Sequence, residues 1–188
     1  CIRDRFSENE FWAKYPVPSI SMDDPQFDPE AFWMGPSWPA ATCHIVEGLA
    51  LAAKNLDSSL VANAAELFRR AANIYFTPKI DFHERYNPLT GKPLSQFKDY
   101  MHSWWIDLII KHVVGFMPNA DGKLELKPLP LGLDYFAMEG IPYHGHSVSV
   151  YWQRPDSSPV YKNIPRGYVI KVDGETIFKK NNLEWLEN

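Results

Sequence analysis

A loop carboxylate does chemistry only when neighbouring groups fix it, and the stretch from Asp81 to Trp105 supplies such neighbours at close spacing. It reads Asp81-Phe82-His83-Glu84-Arg85-Tyr86-Asn87-Pro88-Leu89-Thr90-Gly91-Lys92-Pro93 and, after a short polar link, Asp99-Tyr100-Met101-His102-Ser103-Trp104-Trp105. Two imidazoles, a guanidinium and two indoles accompany Glu84. These residue types suit acid or base work on a sugar. Cleaving a glycosidic bond takes a pair of carboxyl groups, one protonating the leaving oxygen and one activating water or attacking the sugar carbon, and flat aromatic faces stack on sugar rings. Glu84 as a general base is one reading. A solvated loop carboxylate, or a partner of Arg85, is the other.

Other residues could join it. Asp23 and Asp24 are candidates for the second carboxyl, although Asp-Asp-Pro also caps a turn. Trp33, Trp38, Trp104 and Trp105 either stack on sugar or fill an aromatic core at helix starts. If Trp104 faces the core, Trp105 is turned about a hundred degrees from it around the helix. His83, His102, His144 and His146 raise the question of a metal site with Glu84. His83-Glu84 lacks the second histidine four residues after the first that a zinc-protease helix requires. His144 and His146 would share a strand face, but no cysteine or third histidine falls at familiar zinc spacing. We therefore expect no metal and no cofactor, and read the histidines as polar residues lining a pocket. Ser103 has no adjacent base motif, and the nucleophile-elbow pattern is absent.

Elements on either side must position these groups. Ile2 to Tyr15 reads as a short helix with Phe6, Phe11 and Trp12 on its apolar side, ended by Pro16 and Pro18. Ser19 to Phe32 has no period and reads as a long ordered loop. Ser37 is an expected N-cap, with Pro39 in the first turn of a helix running to Lys54 and carrying Ile45, Val46, Leu49 and Ala53 on one side. Asp57 caps a second helix with Leu60, Ala64, Leu67, Phe68, Ala71 and Ile74 in helical register, so the two form an antiparallel hairpin. Pro78 closes it. A third helix is expected from about Tyr100 to Val114, stopped by Gly115 and Pro118. Strand grammar follows: Leu124–Leu126, Ser147–Tyr151, Tyr168–Val172 and Thr176–Phe178 alternate at period two, with Asp-Gly turns at Asp121-Gly122 and Asp173-Gly174.

The chain has 188 residues, 45% hydrophobic and 22% charged, which suits a packed domain rather than a disordered one. Seven Trp within 14% aromatics exceed what a core needs and lean towards a carbohydrate site. A net charge of −4 without a basic run argues against nucleic acid. No apolar stretch approaches the roughly 20 residues a membrane helix needs. Cys1 and Cys43 are too few to reveal a compartment. Starting at Cys1 with neither Met nor a leader, the chain reads as a fragment or processed product, and no compartment is assigned.

In order, Pro18-Ser19 with Asp23-Asp24-Pro25, then Phe32-Trp33-Met34-Gly35-Pro36-Ser37-Trp38-Pro39, then Glu84 with Tyr86-Asn87-Pro88 and Thr90-Gly91, then Ser103-Trp104 resemble the C-terminal portion of α/α-barrel glycoside hydrolases. The groups concerned are the mannosyl-oligosaccharide glucosidases and mannosylglycerate-hydrolase-like enzymes, with trehalases as cousins. The resemblance spans about Pro16 to Val114. It implies a mainly α chain: the C-terminal portion of an (α/α)6 toroid over residues 1–118, then a small antiparallel β unit over 119–188. It implies hydrolysis of a terminal α-linked glycosidic bond by inversion, with Glu84 as the base. Trp33, Gly35, Trp38, Tyr86, Asn87 and Trp104 match pocket-lining positions, joined by the polar His83 and His102. Met34 stands where the family often has arginine, and Ser103-Trp104-Trp105 departs from the usual Gly-Trp-Thr/Ser. The general acid is expected upstream of this chain, so the chain alone should give little turnover. Its expected partners are an oligosaccharide or glycoside and either the remainder of the enzyme or a second copy joined through exposed helical faces. The alternative is a non-catalytic carbohydrate-binding or interaction module.

Overall fold

Proline and aspartate signals start the helices of the first unit. Pro39 sits in the first turn of α1 (Pro39–Asn55), where its missing N–H had no intrahelical partner in any case. The cap position belongs to the extended Trp38, which makes no side-chain cap bond, so the expected cap Ser37 lies one residue outside. Its hydroxyl is already committed, donating to the Tyr15 carbonyl at 2.6 Å. Asp57 does cap: its Oδ1 accepts from the Ser59 N–H at 3.0 Å and the Ser59 hydroxyl at 2.6 Å, opening a 3-10 turn, Ser58–Leu60, that leads into α2 (Val61–Tyr75).

The computed structural model describes residues 6–75, 81–99, 102–119 and 121–183, without the side chains of 102 and 103. The chain divides into two units, Cys1–Leu108 and Ile109–Asn188.

In the first unit α1 and α2 pack on each other. α1 buries Cys43, Val46, Leu49, Ala50 and Ala53, and α2 buries Leu67, Phe68, Ala71, Ile74 and Tyr75. Ile45, expected on that buried side, is 45% exposed, because the stripe runs through Cys43 and Val46 and turns Ile45 towards a cavity. α3 (His102–Leu108) adds buried Trp105 and Leu108. The Trp105 ring lies 5.0 Å from both Phe68 and Tyr75, and Tyr75 in turn lies 5.0 Å from Phe82. Tyr75 thus links α2 to α3 and to the loop that carries Glu84.

Loops take a larger share than expected. Among the described residues 6–15 there is no helix: the Glu10 and Trp12 N–H groups both donate to the Ser7 carbonyl, and the Trp12 and Ala13 carbonyls accept from Arg70. The loop segments meet in a row of isolated bridges, Pro18 to Ser37, Ser37 to Tyr86 and Tyr86 to Pro93. Gly35 sits where this row crowds the chain, and a Cβ there would fall 2.2 Å from the Asp28 carbonyl oxygen.

In the second unit residues Ile109–Val114 wind as a π-helix rather than continuing the expected α-helix. A two-stranded ribbon joins β1 (Phe116–Pro118) to β2 (Leu124–Leu126), its turn held by the Asn119 side chain and by Gly122 at φ 73°. An antiparallel meander follows in sequence order: β3 (Tyr135–Tyr143), β4 (His146–Gln153), β5 (Gly167–Val172) and β6 (Glu175–Lys180). The expected Asp173-Gly174 turn joins β5 to β6 with both residues at positive φ, and His144-Gly145 does the same between β3 and β4. Val148, Val150, Trp152, Tyr168 and Ile170 share one buried cluster with Val114, Phe116 and Leu126.

The expectation of a mainly α chain, the C-terminal portion of a trehalase-like (α/α)6 toroid, is therefore corrected. Among the described residues there are three α-helices of 17, 15 and 7 residues against two antiparallel sheets. This is a small helix-plus-β chain. A toroid needs successive helical hairpins, whereas the segments around α1 and α2 are loops that satisfy one another's backbone groups.

Two predictions follow from the packing. Gly35→Ala forces a Cβ onto backbone that cannot rotate away, and should lower stability by about 2–3 kcal/mol, seen as a reduced urea midpoint at unchanged slope. An unchanged midpoint would show that the loop yields freely. Burial pushes the Cys43 thiol from its ordinary 9.0 up to about 11, despite a hydrogen bond from Tyr75. A raised folded value contributes stability that is complete below the unfolded value and is lost as pH rises through the folded one. Stability should therefore fall as pH rises from 9.0 to about 11, and Cys43→Ala should flatten that part of a pH series of thermal melts.

Candidate active site

The stretch that carries Glu84 is more regular than its composition suggests. Successive backbone bonds pair it with the chain that follows: the Glu84 N–H donates to the Phe97 carbonyl at 3.2 Å, the Leu94 N–H to Arg85 at 3.0 Å, and the Asn87 N–H to Lys92 at 2.9 Å. Asn87 turns the chain, its Oδ1 accepting the N–H groups of Leu89 at 3.0 Å and Thr90 at 3.1 Å. Gly91 completes the turn at φ 74°, where a Cβ would meet the Tyr15 ring at 2.8 Å. On the other side, Ser37 and Tyr86 exchange two backbone hydrogen bonds of 2.9 Å each. Residues 81–99 are thus an irregular hairpin, pinned to the entrance of α1.

On this hairpin the Glu84 side chain is 16% exposed. Its Oε2 accepts from the Ser95 hydroxyl at 3.1 Å and pairs with the Arg85 guanidinium at 3.4 Å. Among the described residues Oε1 has no hydrogen-bond partner. Arg85 lies over aromatic faces, 4.9 Å from the Phe32 ring centre and 5.7 Å from that of Trp38. Trp38 stacks in turn on Trp33, with centres 4.0 Å apart and planes at 8°. Trp33 remains 53% exposed, so the group ends in an aromatic face open to solvent. Trp33 and Trp38 also line an apolar cavity of about 550 Å³ with Phe6, Phe11, Trp12 and Ile45. Glu84 does not line it.

Behind the carboxylate lies a buried polar frame. Tyr86, 1% exposed, donates its hydroxyl proton to the Asp81 carbonyl at 2.8 Å and accepts the His83 N–H at 2.6 Å. Burial pushes this hydroxyl up to about 12. His83 Nδ1 faces the Ser95 carbonyl at 2.8 Å, which makes that nitrogen the donor, and Nε2 lies 3.1 Å from Asp81 Oδ2. The Lys98 ammonium, 2.7 Å from Asp81, holds that carboxyl below the usual range, with His83 adding to the effect.

Of the residues singled out in the sequence, Trp33, Trp38 and Glu84 come together through Arg85, and His83 reaches Glu84 through Ser95. Tyr86 and Asn87 belong to the frame and the turn, and Gly35 to the crowded loop beside Asp28. Trp104 is half-buried against the His44 ring at 4.3 Å. The His102 side chain lies outside the described residues. Asp23 accepts from the Ser21 hydroxyl and Asp24 from the Gln26 N–H, so both hold turns. His144 and His146 do not share a strand face, because His144 occupies a turn at φ 47° while His146 opens β4 and pairs with Asp173 at 2.7 Å. Ser95 and Phe32 were not nominated by the sequence. A serine eleven residues from Glu84 carries no local signal of the contact.

Three comparisons bear on this geometry. A mannosylglycerate hydrolase from Thermus thermophilus is 33% identical over 88 residues, covering 45% of this chain and 19% of that protein. The chain thus spans about a fifth of the length of that curated relative. A solved structure described as a sialidase superposes with a TM-score of 0.78 at 23% identity, over 97% of this chain and 18% of that one. At that identity the likeness concerns the fold alone, and it extends to both the helical and the β elements. Residues 2–103 match the family described as the mannosylglycerate hydrolase MGH1-like glycoside hydrolase domain. With the family match covering 102 of 188 residues, and with the Glu84 hairpin inside it, the chain belongs to the MGH1-like glycoside hydrolases.

Proposed function

We propose that Glu84 is the general base of an inverting glycoside hydrolase acting on a terminal α-linked glycosidic bond. The observation that supports this most directly is the asymmetry of the Glu84 carboxylate, with Oε2 held by Ser95 and Arg85 and Oε1 left for a water. In such a reaction Oε1 takes a proton from water as its oxygen attacks the anomeric carbon, while a second carboxyl protonates the departing oxygen from the opposite face. The two groups then stand about 6.5–9.5 Å apart. Asp23 and Asp24 hold turns; in this reading, as the family resemblance implies, the acid comes from outside the chain, and the isolated chain turns over little. Trp33, with Trp38 beneath it, offers an aromatic face for the sugar ring.

The test uses the full-length protein in which this sequence occurs and a panel of α-glucosides and α-mannosides. Mannosylglycerate belongs in the panel because the relative from Thermus thermophilus bears that name. Glu84→Gln should lower the rate on the preferred substrate about 10²–10⁴-fold, the usual contribution of a positioned base. Retention of more than roughly a tenth of the parental rate would remove Glu84 from that role.

The exposed Trp33 face also favours a second reading, saccharide binding without turnover. In that case the isolated chain should release heat on titration with a panel sugar, and Trp33→Ala should abolish the signal. An absence of heat with every sugar would count against it.

A further inference from the structure

We propose that Ser95 is a positioning residue for this site: its hydroxyl sets the rotamer of Glu84 so that one carboxylate oxygen is anchored and the other faces the water. The inference rests on the reading of Glu84 as a base. It begins with the hydrogen-bond inventory of one hydroxyl, which has a single proton to give and two lone pairs to offer. Ser95 Oγ accepts from the Phe97 N–H at 3.1 Å. A backbone N–H can only donate, so the serine proton is left for the other neighbour, Glu84 Oε2, at 3.1 Å. The direction of this bond is thereby fixed, and it is charge-assisted when the carboxylate is ionised.

Ser95 itself cannot drift. Its carbonyl accepts from His83 Nδ1 at 2.8 Å, and His83 is 8% exposed and held to Tyr86 through its own N–H. The backbone on both sides is paired, Leu94 to Arg85 and Phe97 to Glu84. The hydroxyl is therefore delivered from a braced strand-like segment. Arg85, the second group on Oε2, is braced differently, by the Phe32 and Trp38 rings. At 3.4 Å its contact is longer than the serine's, so Ser95 supplies the better-formed bond and Arg85 a less directional charge. With both on one oxygen, rotation of the carboxylate would break the serine bond and carry Oε1 away from the water.

Removing the hydroxyl leaves the His83 contact to the Ser95 carbonyl intact and frees only the Phe97 N–H, whose bond is exposed so that water can replace it, so Ser95→Ala should act on the carboxylate rather than on the hairpin. In the full-length protein we expect kcat to fall roughly tenfold or more, towards the roughly 10²-fold that a 1 Å misplacement of a reacting group can cost, with KM and melting temperature little changed. Ser95→Thr, which keeps the hydroxyl, should restore most of the loss. A kcat for Ser95→Ala within twofold of the parent would overturn the proposal, as would a loss that Ser95→Thr does not recover or one that tracks a lowered melting temperature. Glu84→Gln separates the two levels. If it abolishes turnover while Ser95→Ala is silent, the base reading stands and the positioning role fails. If Glu84→Gln itself remains active, both fail.

Discussion

Two backbone hydrogen bonds between Ser37 and Tyr86, each of 2.9 Å, hold the first unit's candidate site together. Ser37 is 0% and Tyr86 1% exposed, and buried backbone groups must find partners. Here the N–H and C=O of each residue serve the other. Ser37 directly precedes Trp38 and the start of α1, and Tyr86 follows Glu84 by two residues. One pairing therefore fixes the aromatic face at the helix entrance against the hairpin that carries the carboxylate. Side chains reinforce it from both ends, Ser37 through the Tyr15 carbonyl and Tyr86 through Asp81 and His83.

This constraint explains why Arg85 lies where it does. A guanidinium is planar and weakly hydrated, so it packs on aromatic rings at lower cost than an ammonium would. Between Phe32, Trp38 and the Glu84 carboxylate it joins the aromatic group to the acidic one. Its charge and the Ser95 proton both fall on Oε2, which gives the carboxylate two unlike ends. A base benefits from that difference, because a carboxylate bound equally at both oxygens has neither oriented to receive a proton.

The second unit obeys a different economy. Its meander is braced by one buried amide: Gln153, 1% exposed, accepts the Val160 and Tyr161 N–H groups at Oε1 and donates from Nε2 to the Tyr161 and Ile164 carbonyls. Such use of all four bonding positions lets a polar residue sit in an interior without penalty. It also ties down the long connection between β4 and β5. The opposite face of β4 supplies the apolar cluster around Val150 and Trp152.

What the sequence by itself determined are the features written within a few residues: the starts of α1 and α2, the Asp57 cap, the Asp173-Gly174 turn, and the motif order that points to a glycoside hydrolase. Proline geometry, side-chain capping and positive φ act over one to four residues, so a linear reading sees them. It could not see β3, because Gly140 and Pro142 speak against a strand. The structure accommodates both on a sheet edge, with a register shift between Met138 and Ile141. Nor could it see that helix and strand hold similar shares of the described residues, since the resemblance supplied a toroid and the loops around α1 and α2 showed no period. Tertiary structure alone decided that Ser37 bridges instead of capping, that residues 81–99 form a braced hairpin, and that Ser95 meets Glu84. Each of these depends on backbone groups far apart in sequence finding the one packing in which all are satisfied.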